Sequence, residues 1–375
     1  MSREISTVQA SLGGPLDIVV LTHFASPYQV ELFNEVARLK RDGFVVYYLH
    51  RIHPTRSWNG GKPNHSAHFF RDELDAVERA KLDFQSARLA IFNFYNEPPV
   101  PELLRVRQES GLPWCFWGER PGYKNKLLGR LLRRWKLRAL HASSAPIWGI
   151  GKFAIEQYQE EFGRHRAYHD LPYFSDLSRF GNTTRAAQNE SRLRTFLFSG
   201  SLVERKGVDL LSRAFVRVAR EFPNARLRLM GEGRLRDALR RILDPVSERV
   251  EFLGFKDWVD LPAAYRGADV LCVPSRYDGW GLVVPEGLAS GLPVIATDRM
   301  GAALEFLETG RNGWLIRAQD EHALYTALRE AASLPPERLL AMAEAARDSV
   351  KEHSLRNGAQ RFLAAAREAV GNWRN

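Results

Sequence analysis

Residues 273–298 read VPSRYDGWGLVVPEGLASGLPVIATD and carry two acids, Asp278 and Glu286, eight positions apart across a glycine-rich turn. The β-branched run ADVLCVPS comes just before, so Asp278 falls on the loop that leaves a strand. Glu286 falls a turn or so into the helix that follows. Both acids can then face one cleft. Gly279, Trp280, Gly281 and Leu282 fill the turn, and its glycines leave backbone N–H groups bare where a helix begins. Such a turn suits a diphosphate or a developing oxyanion. A plainer reading stands beside this one, with Asp278 as a helix cap and Glu286 as a surface carboxylate.

Three further loops bear on the choice. The strand TFLFSG ends at Gly200 and runs through Ser201 to Arg205 and Lys206 before the helix GVDLL. Two adjacent cations at the carboxyl end of a strand can neutralise a pyrophosphate leaving group; the alternative is a solvated turn. LMGEGR places Gly231 and Gly233 after another strand, where the backbone can be approached closely. VEFLGF ends at Gly254 and presents Phe255, either to stack on a nucleotide base or to pack at a sheet edge. His23, at the end of the first strand, is a candidate for the cleft or a packing residue.

The elements that position these residues alternate between short apolar runs and helical patterns. From Leu16, DIVVL, a loop THFASPY, the helical QVELFNEVARLKRDG and FVVYYLH make a βαβ unit, and the alternation recurs at ARLAIFNF, GLPWCFW and SAPIWGIG. Residues 164–190 lose periodicity and collect turn formers, so a linker is expected there, set at 176–193 between a first domain of residues 1–175 and a second of 194–352. The second half restarts with TFLFSG, ARLRLMG, VEFLG, ADVLCVPS and LPVIATD, each followed by a helix or loop. A terminal helix from about Arg356 to Gly371, within 353–375, has no strand after it and can run back onto the first domain. The fold class expected is α/β, with two doubly wound Rossmann-like domains facing a central cleft.

FSGSLVERKGVDLL, LMGEG, VEFLGF and YDGWGLVVPEGLASGLPVIATD, in this order and spacing, resemble the donor-binding domain of retaining glycosyltransferases of family 4, with the GT-B fold. The resemblance is strong from about Arg194 to Ile316. It implies a nucleotide-diphosphate sugar as donor substrate, no cofactor and no metal. It also implies that Glu286 holds the ribose hydroxyls and Asp278 the hydroxyls of the transferred sugar. Family members commonly carry an arginine where this chain has Ser201, and Arg205 beside the expected Lys206 can make up that charge. Many relatives have a glycine pair in the first strand-to-helix loop, which here reads THFASPYQ, while Gly13 and Gly14 precede the strand. Many also have a histidine near the sugar; PWCFWGERPG stands at that place, so Glu119 or Arg120 occupies it. The acceptor implied is a saccharide, lipid-linked or polyprenyl-linked, in assembly of bacterial surface polysaccharide or lipopolysaccharide.

Composition frames these readings. In 375 residues, 45% are hydrophobic and 26% charged, enough apolar surface for sizeable cores and too little polar bias for disorder. Lys and Arg total 54 against 44 Asp and Glu, a net +10 that favours an anionic partner. Many of these cations fall in YKNKLLGRLLRRWKLRAL, Tyr123–Leu140, where Leu127, Leu128, Leu131, Leu132 and Trp135 trace one helical face among basic residues. This fits a helix lying on an anionic membrane surface, or an ordinary helix packed on the first sheet. Nucleic-acid binding is the rival from another class, and a GT-B epimerase or phosphorylase the rival enzyme; no nucleic-acid partner is expected. Cys115 and Cys272 lie far apart in apolar stretches, which argues against a disulfide framework or a cysteine zinc site. With no signal peptide or membrane span expected, the location expected is cytoplasmic, peripheral at the inner membrane face.

Overall fold

The computed structural model describes residues 17–51, 61–94, 97–121, 127–181 and 193–373. The chain divides into two compact units, Met1–Ser175 with Leu355–Asn375, and Asp176–Ser354. The first holds a seven-stranded, all-parallel sheet of β1 (Ile18–Phe24), β2 (Phe44–His50), β3 (Ser66–Phe69), β4 (Leu89–Phe92), β5 (Trp114–Gly118), β6 (Ile147–Gly149) and β7 (Tyr168–Asp170). The spatial order is β3-β2-β1-β4-β5-β6-β7. The second holds β8 (Arg194–Ser199), β9 (Ala225–Met230), β10 (Val250–Gly254), β11 (Val270–Val273), β12 (Val294–Thr297) and β13 (Gly313–Ile316), also all parallel, in the order β10-β9-β8-β11-β12-β13.

Strands covered by helices on both faces need continuous apolar runs rather than alternation. LAIF and VLCV are buried at every position. The two orders reverse between β1 and β4 and between β8 and β11, and open α/β sheets bind ligands in the crevice outside the strand ends at such a reversal. Loops from β8 and β11 are the two that carry Lys206 and Asp278.

Residues 164–175, read from sequence as the start of a linker, belong to the first unit, because β7 pairs with β6 as an edge strand and Leu171, Tyr173 and Phe174 are buried. Only part of the expected linker, 176–181 and residue 193, is described; there Ser178–Gly181 is a short helix whose Phe180 packs edge-on against Tyr265 at 5.4 Å. The strands β3 and β13 were not foreseen. The terminal helix Leu355–Gly371 is part of the first unit: Phe362 meets the rings of Trp117 and Trp148 at 6.1 and 5.3 Å. Gly358 lies so close to Phe174 that an added Cβ would sit 2.5 Å from the ring.

Candidate functional site

In the second unit, the turn after β8 is pinned to the turn after β11. The Arg276 guanidinium makes two 2.7 Å bonds to the Asp209 carboxylate and a third to the Glu204 carbonyl, while the Arg276 N–H donates to the Arg205 carbonyl at 2.9 Å. Burial works against the charge on Asp209, yet Arg276 outweighs it and holds the carboxyl below its usual range. Gly207 closes the turn Glu204–Lys206 with φ +69°, and a Cβ there would stand 1.9 Å from the Pro274 carbonyl oxygen. No L side chain fits that contact.

This clamp brings Lys206 to Asp278. The Lys206 ammonium forms an ion pair with Asp278 Oδ2, both side chains being about 15% exposed. Arg205 lies 3.7 Å from the same oxygen, half exposed, and donates to the Tyr277 carbonyl at 3.0 Å. Asp278 therefore faces cations and does not cap the helix Val283–Ala289, whose N-cap is Leu282. Glu286 is 4% exposed rather than a surface carboxylate. The Tyr265 hydroxyl sits 3.2 Å from Glu286 Oε2 and 3.3 Å from Ser199 Oγ. Burial, reinforced by the Glu286 charge, pushes the Tyr265 phenol well above its ordinary value, so it stays a donor to the acid.

The strand-end glycines hold loop to loop. Gly231 has φ +133°, and a Cβ there would meet the Gly200 carbonyl oxygen at 2.0 Å; at Gly233 it would meet the Leu202 carbonyl oxygen at 2.4 Å. The Gly231 N–H donates to Gly254 at 2.8 Å and the Leu202 N–H to Glu232 at 2.9 Å. Their close approach is to neighbouring backbone. Ser201 and Phe255 are exposed at this strand-end surface. Gly281 carries φ +89°, and Gly279 is buried. Trp280 turns inward, its ring packed between Phe306 at 5.9 Å and His353 at 6.0 Å, so only its backbone belongs to the surface of this turn.

The structure thus gathers Lys206, Arg205, Asp278 and Glu286 at the reversal of the second sheet. Sequence reasoning missed Tyr265, which holds the second acid, and Ser199, whose hydroxyl lies beside that of Tyr265; Ser199 was findable as the last residue of β8. In the first unit, Glu119 is exposed and its carbonyl accepts from Tyr158 at 2.5 Å, while Arg120 is buried with its guanidinium 4.6 Å from the Phe153 ring. His23 lies beside His50 and Glu97, neither of which was singled out, although His50 ends the run FVVYYLH. Gly13 and Gly14 lie outside the described residues.

Residues 193–333 match the family model of Glycosyl transferases group 1. The second unit carries a group 1 glycosyltransferase domain. The chain is 30% identical over 233 residues to the GDP-mannose-dependent monoacylated alpha-(1-6)-phosphatidylinositol monomannoside mannosyltransferase of Corynebacterium glutamicum, covering 58% of this chain and 60% of that one. It is also 30% identical over 251 residues to the phosphatidyl-myo-inositol mannosyltransferase of Mycobacterium tuberculosis, covering 65% and 60%. The match therefore spans about three fifths of those relatives' length. HepE of Anabaena, solved in complex with UDP, matches 94% of this chain and 100% of its own with a TM-score of 0.73 and 15% identity, a likeness of fold. The fold expected from the glycosyltransferase motifs, two parallel-sheet α/β domains of GT-B type, is the fold found.

The helix Leu127–Lys136 belongs to the first unit. Leu131, Leu132 and Trp135 are exposed, Trp135 at 63%, whereas Leu137 and Leu140 just beyond are buried. Arg134, Lys136 and Arg138 are exposed, with Arg138 5.1 Å from the Trp135 ring. Arg133, one of the basic residues of Tyr123–Leu140, is paired with Glu161 at 2.9 Å with little exposure on either side, because the helix turns that position toward its neighbour. Tyr123–Lys126 and the side chains of Leu127, Leu128 and Arg130 lie outside the described residues. No described helix is long and apolar enough to cross a membrane.

Proposed function

We propose that the protein transfers a sugar, with retention of configuration, from a nucleotide diphosphate donor to a lipid-linked acceptor, working as a family 4 glycosyltransferase without a metal at the donor side. The observation that carries the reading is the Lys206–Asp278 pair formed between the loops that leave β8 and β11, with the buried Glu286 on the helix that follows, at the reversal of the second sheet. The geometry suits three tasks. Glu286, oriented by Tyr265, accepts from the ribose hydroxyls. Asp278 accepts from the hydroxyls of the sugar. Lys206 and Arg205 stabilise the departing diphosphate, the office a metal ion fills elsewhere. In the transfer, the acceptor oxygen forms a bond to the anomeric carbon as the bond from that carbon to the phosphate oxygen breaks. The acceptor proton passes to the diphosphate oxygen that leaves, on the same face of the sugar.

Two relatives named as mannosyltransferases acting on phosphatidylinositol lipids support a mannosyl donor and a lipid acceptor. An anionic, inner-leaflet membrane surface is supported by Trp135, Leu131 and Leu132 exposed among Arg134, Lys136 and Arg138. Thermal-shift titration of the full chain with GDP-mannose, UDP-glucose and the bare diphosphates tests the donor, since bound ligand stabilises by RT ln(1 + [L]/Kd). GDP-mannose is expected to raise Tm most and to label a membrane lipid fraction with mannose. Stabilisation by no nucleotide sugar refutes the reading.

A further inference from the structure

Three side chains converge at the reversal of the first sheet. His23 lies near the carboxyl end of β1, His50 ends the adjacent β2, and Glu97 follows β4 on the other side of β1. His50 Nε2 is 3.0 Å from Glu97 Oε2, and His23 Nε2 is 3.5 Å from Glu97 Oε1. One ligand atom from each of the three lies within 4.8 Å of the others. The imidazoles meet edge-on at 5.3 Å, and the His23 ring is fixed by stacking on Phe94 at 4.1 Å and by Phe24 at 3.8 Å. We propose that His23, His50 and Glu97 form a binding site for a divalent first-row transition ion of the zinc type, with a fourth position open.

The spacing carries the argument. Tetrahedral zinc with bonds of about 2.0 to 2.2 Å holds its ligand atoms about 3.3 to 3.5 Å apart. The two histidine nitrogens lie 3.0 and 3.5 Å from the two oxygens of the Glu97 carboxylate, within a few tenths of that, so binding needs side-chain rotations that turn one of these oxygens to both nitrogens, while β1 and β2 hold the backbones of His23 and His50. The donor set is also the right one, since two imidazoles with one carboxylate leave a ligand position free, whereas structural zinc sites close all four. Glu97 is 44% exposed and His23 26%, so the open position faces solvent and can take an oxygen ligand. The ring contacts of His23 limit its orientations, as a preorganised ligand requires. This site lies wholly in the first unit and does not depend on the transferase reading.

The test uses the full chain without an affinity tag, stripped by chelator and dialysed, then titrated with cobalt(II) and zinc(II). One cobalt per chain with the intense visible bands of tetrahedral coordination, displaced by zinc, is expected. His50→Ala and Glu97→Gln should each weaken cobalt binding by at least about tenfold, the lower end of what even an outer partner of a metal ligand costs. His322→Ala, at an exposed histidine of the second unit, should bind as wild type does. Glu97→Gln keeps an amide in place of an exposed carboxylate, and melting of the metal-free variants confirms folding. No stoichiometric uptake by wild type, or uptake that both site variants retain in full, overturns the proposal.

Discussion

Lys206→Met probes the donor site most directly. The ammonium has three N–H donors, and Asp278 takes one, leaving two for the oxygens of a diphosphate. A charge-assisted hydrogen bond contributes about 1.5 to 3 kcal/mol, so loss of one corresponds to roughly 10- to 150-fold weaker GDP binding. The substitution also leaves Asp278, little exposed, facing the half-exposed Arg205 at 3.7 Å in place of Lys206, which alone predicts a lower Tm. Adding Asp278→Asn separates the two effects. The double variant removes the uncompensated charge and should regain much of the Tm. Its affinity for GDP should stay low, because the phosphate contact is still missing. Isothermal titration with GDP reads this without knowing the acceptor. If Lys206→Met binds GDP as tightly as wild type, or if the double variant recovers both Tm and affinity, Lys206 is a structural partner of Asp278 and the diphosphate role is wrong.

Glu286→Gln should weaken GDP binding by a similar factor while leaving inorganic pyrophosphate binding unchanged, since only GDP offers a ribose to the acid; equal losses for both would remove the ribose role. Replacing Arg134, Lys136 and Arg138 with Ser should release the protein from anionic vesicles at low salt, at about 1 kcal/mol per cation, with GDP affinity intact. Arg133 is kept because it pairs with Glu161. Co-sedimentation that ignores both salt and these substitutions would count against the membrane surface. His65 is neutral in the fold, held between Tyr48 at 2.9 Å and Asn34 at 2.7 Å, and burial lowers its pKa from 6.5 to about 4. The folded form thus binds fewer protons than the unfolded one between pH 6.5 and 4, so the stabilisation is whole above pH 6.5 and lost as pH falls toward 4, by about 3 kcal/mol. His65→Gln should flatten that limb of a Tm-versus-pH curve, and an unchanged slope would exclude His65 as its cause.

The donor side was legible because its chemistry lies at consecutive strand ends: Arg205 and Lys206 after β8, Gly231 after β9, Gly254 ending β10, Asp278 after β11. Order along the chain follows the sheet edge from β8 to β10, and the chain then crosses back so that β11 lies on the other side of β8, which brings Asp278 to Lys206. The partners that orient these groups are not in order. Tyr265 comes from the helix Leu261–Arg266, and Asp209, which takes the Arg276 clamp, from the start of the helix after β8. Arg107 shows the same limit in the core: in an arginine-rich chain it reads as a surface residue. It is instead fully buried, its guanidinium donating to the carbonyls of Phe84, Ala87 and Pro113.

The first unit was harder to read for a related reason. The ends of β1, β2 and β4 carry no glycine, and His23, His50 and Glu97 come from three segments whose adjacency follows only from the order β2-β1-β4. Once that order is known, His23 and His50 are neighbours and the loop that bears Glu97 starts beside them. Parallel strands all discharge their chains at one edge, and the two strands flanking a reversal send their connections to opposite faces, leaving the edge between them uncovered. A histidine near the end of β1 therefore meets groups at the ends of β2 and β4, just as Lys206 after β8 meets Asp278 after β11. The same topological rule explains both clusters. It differs in what sequence can recover, because the turn chemistry of glycines announces the second, whereas the first is built from side chains that any strand end can bear.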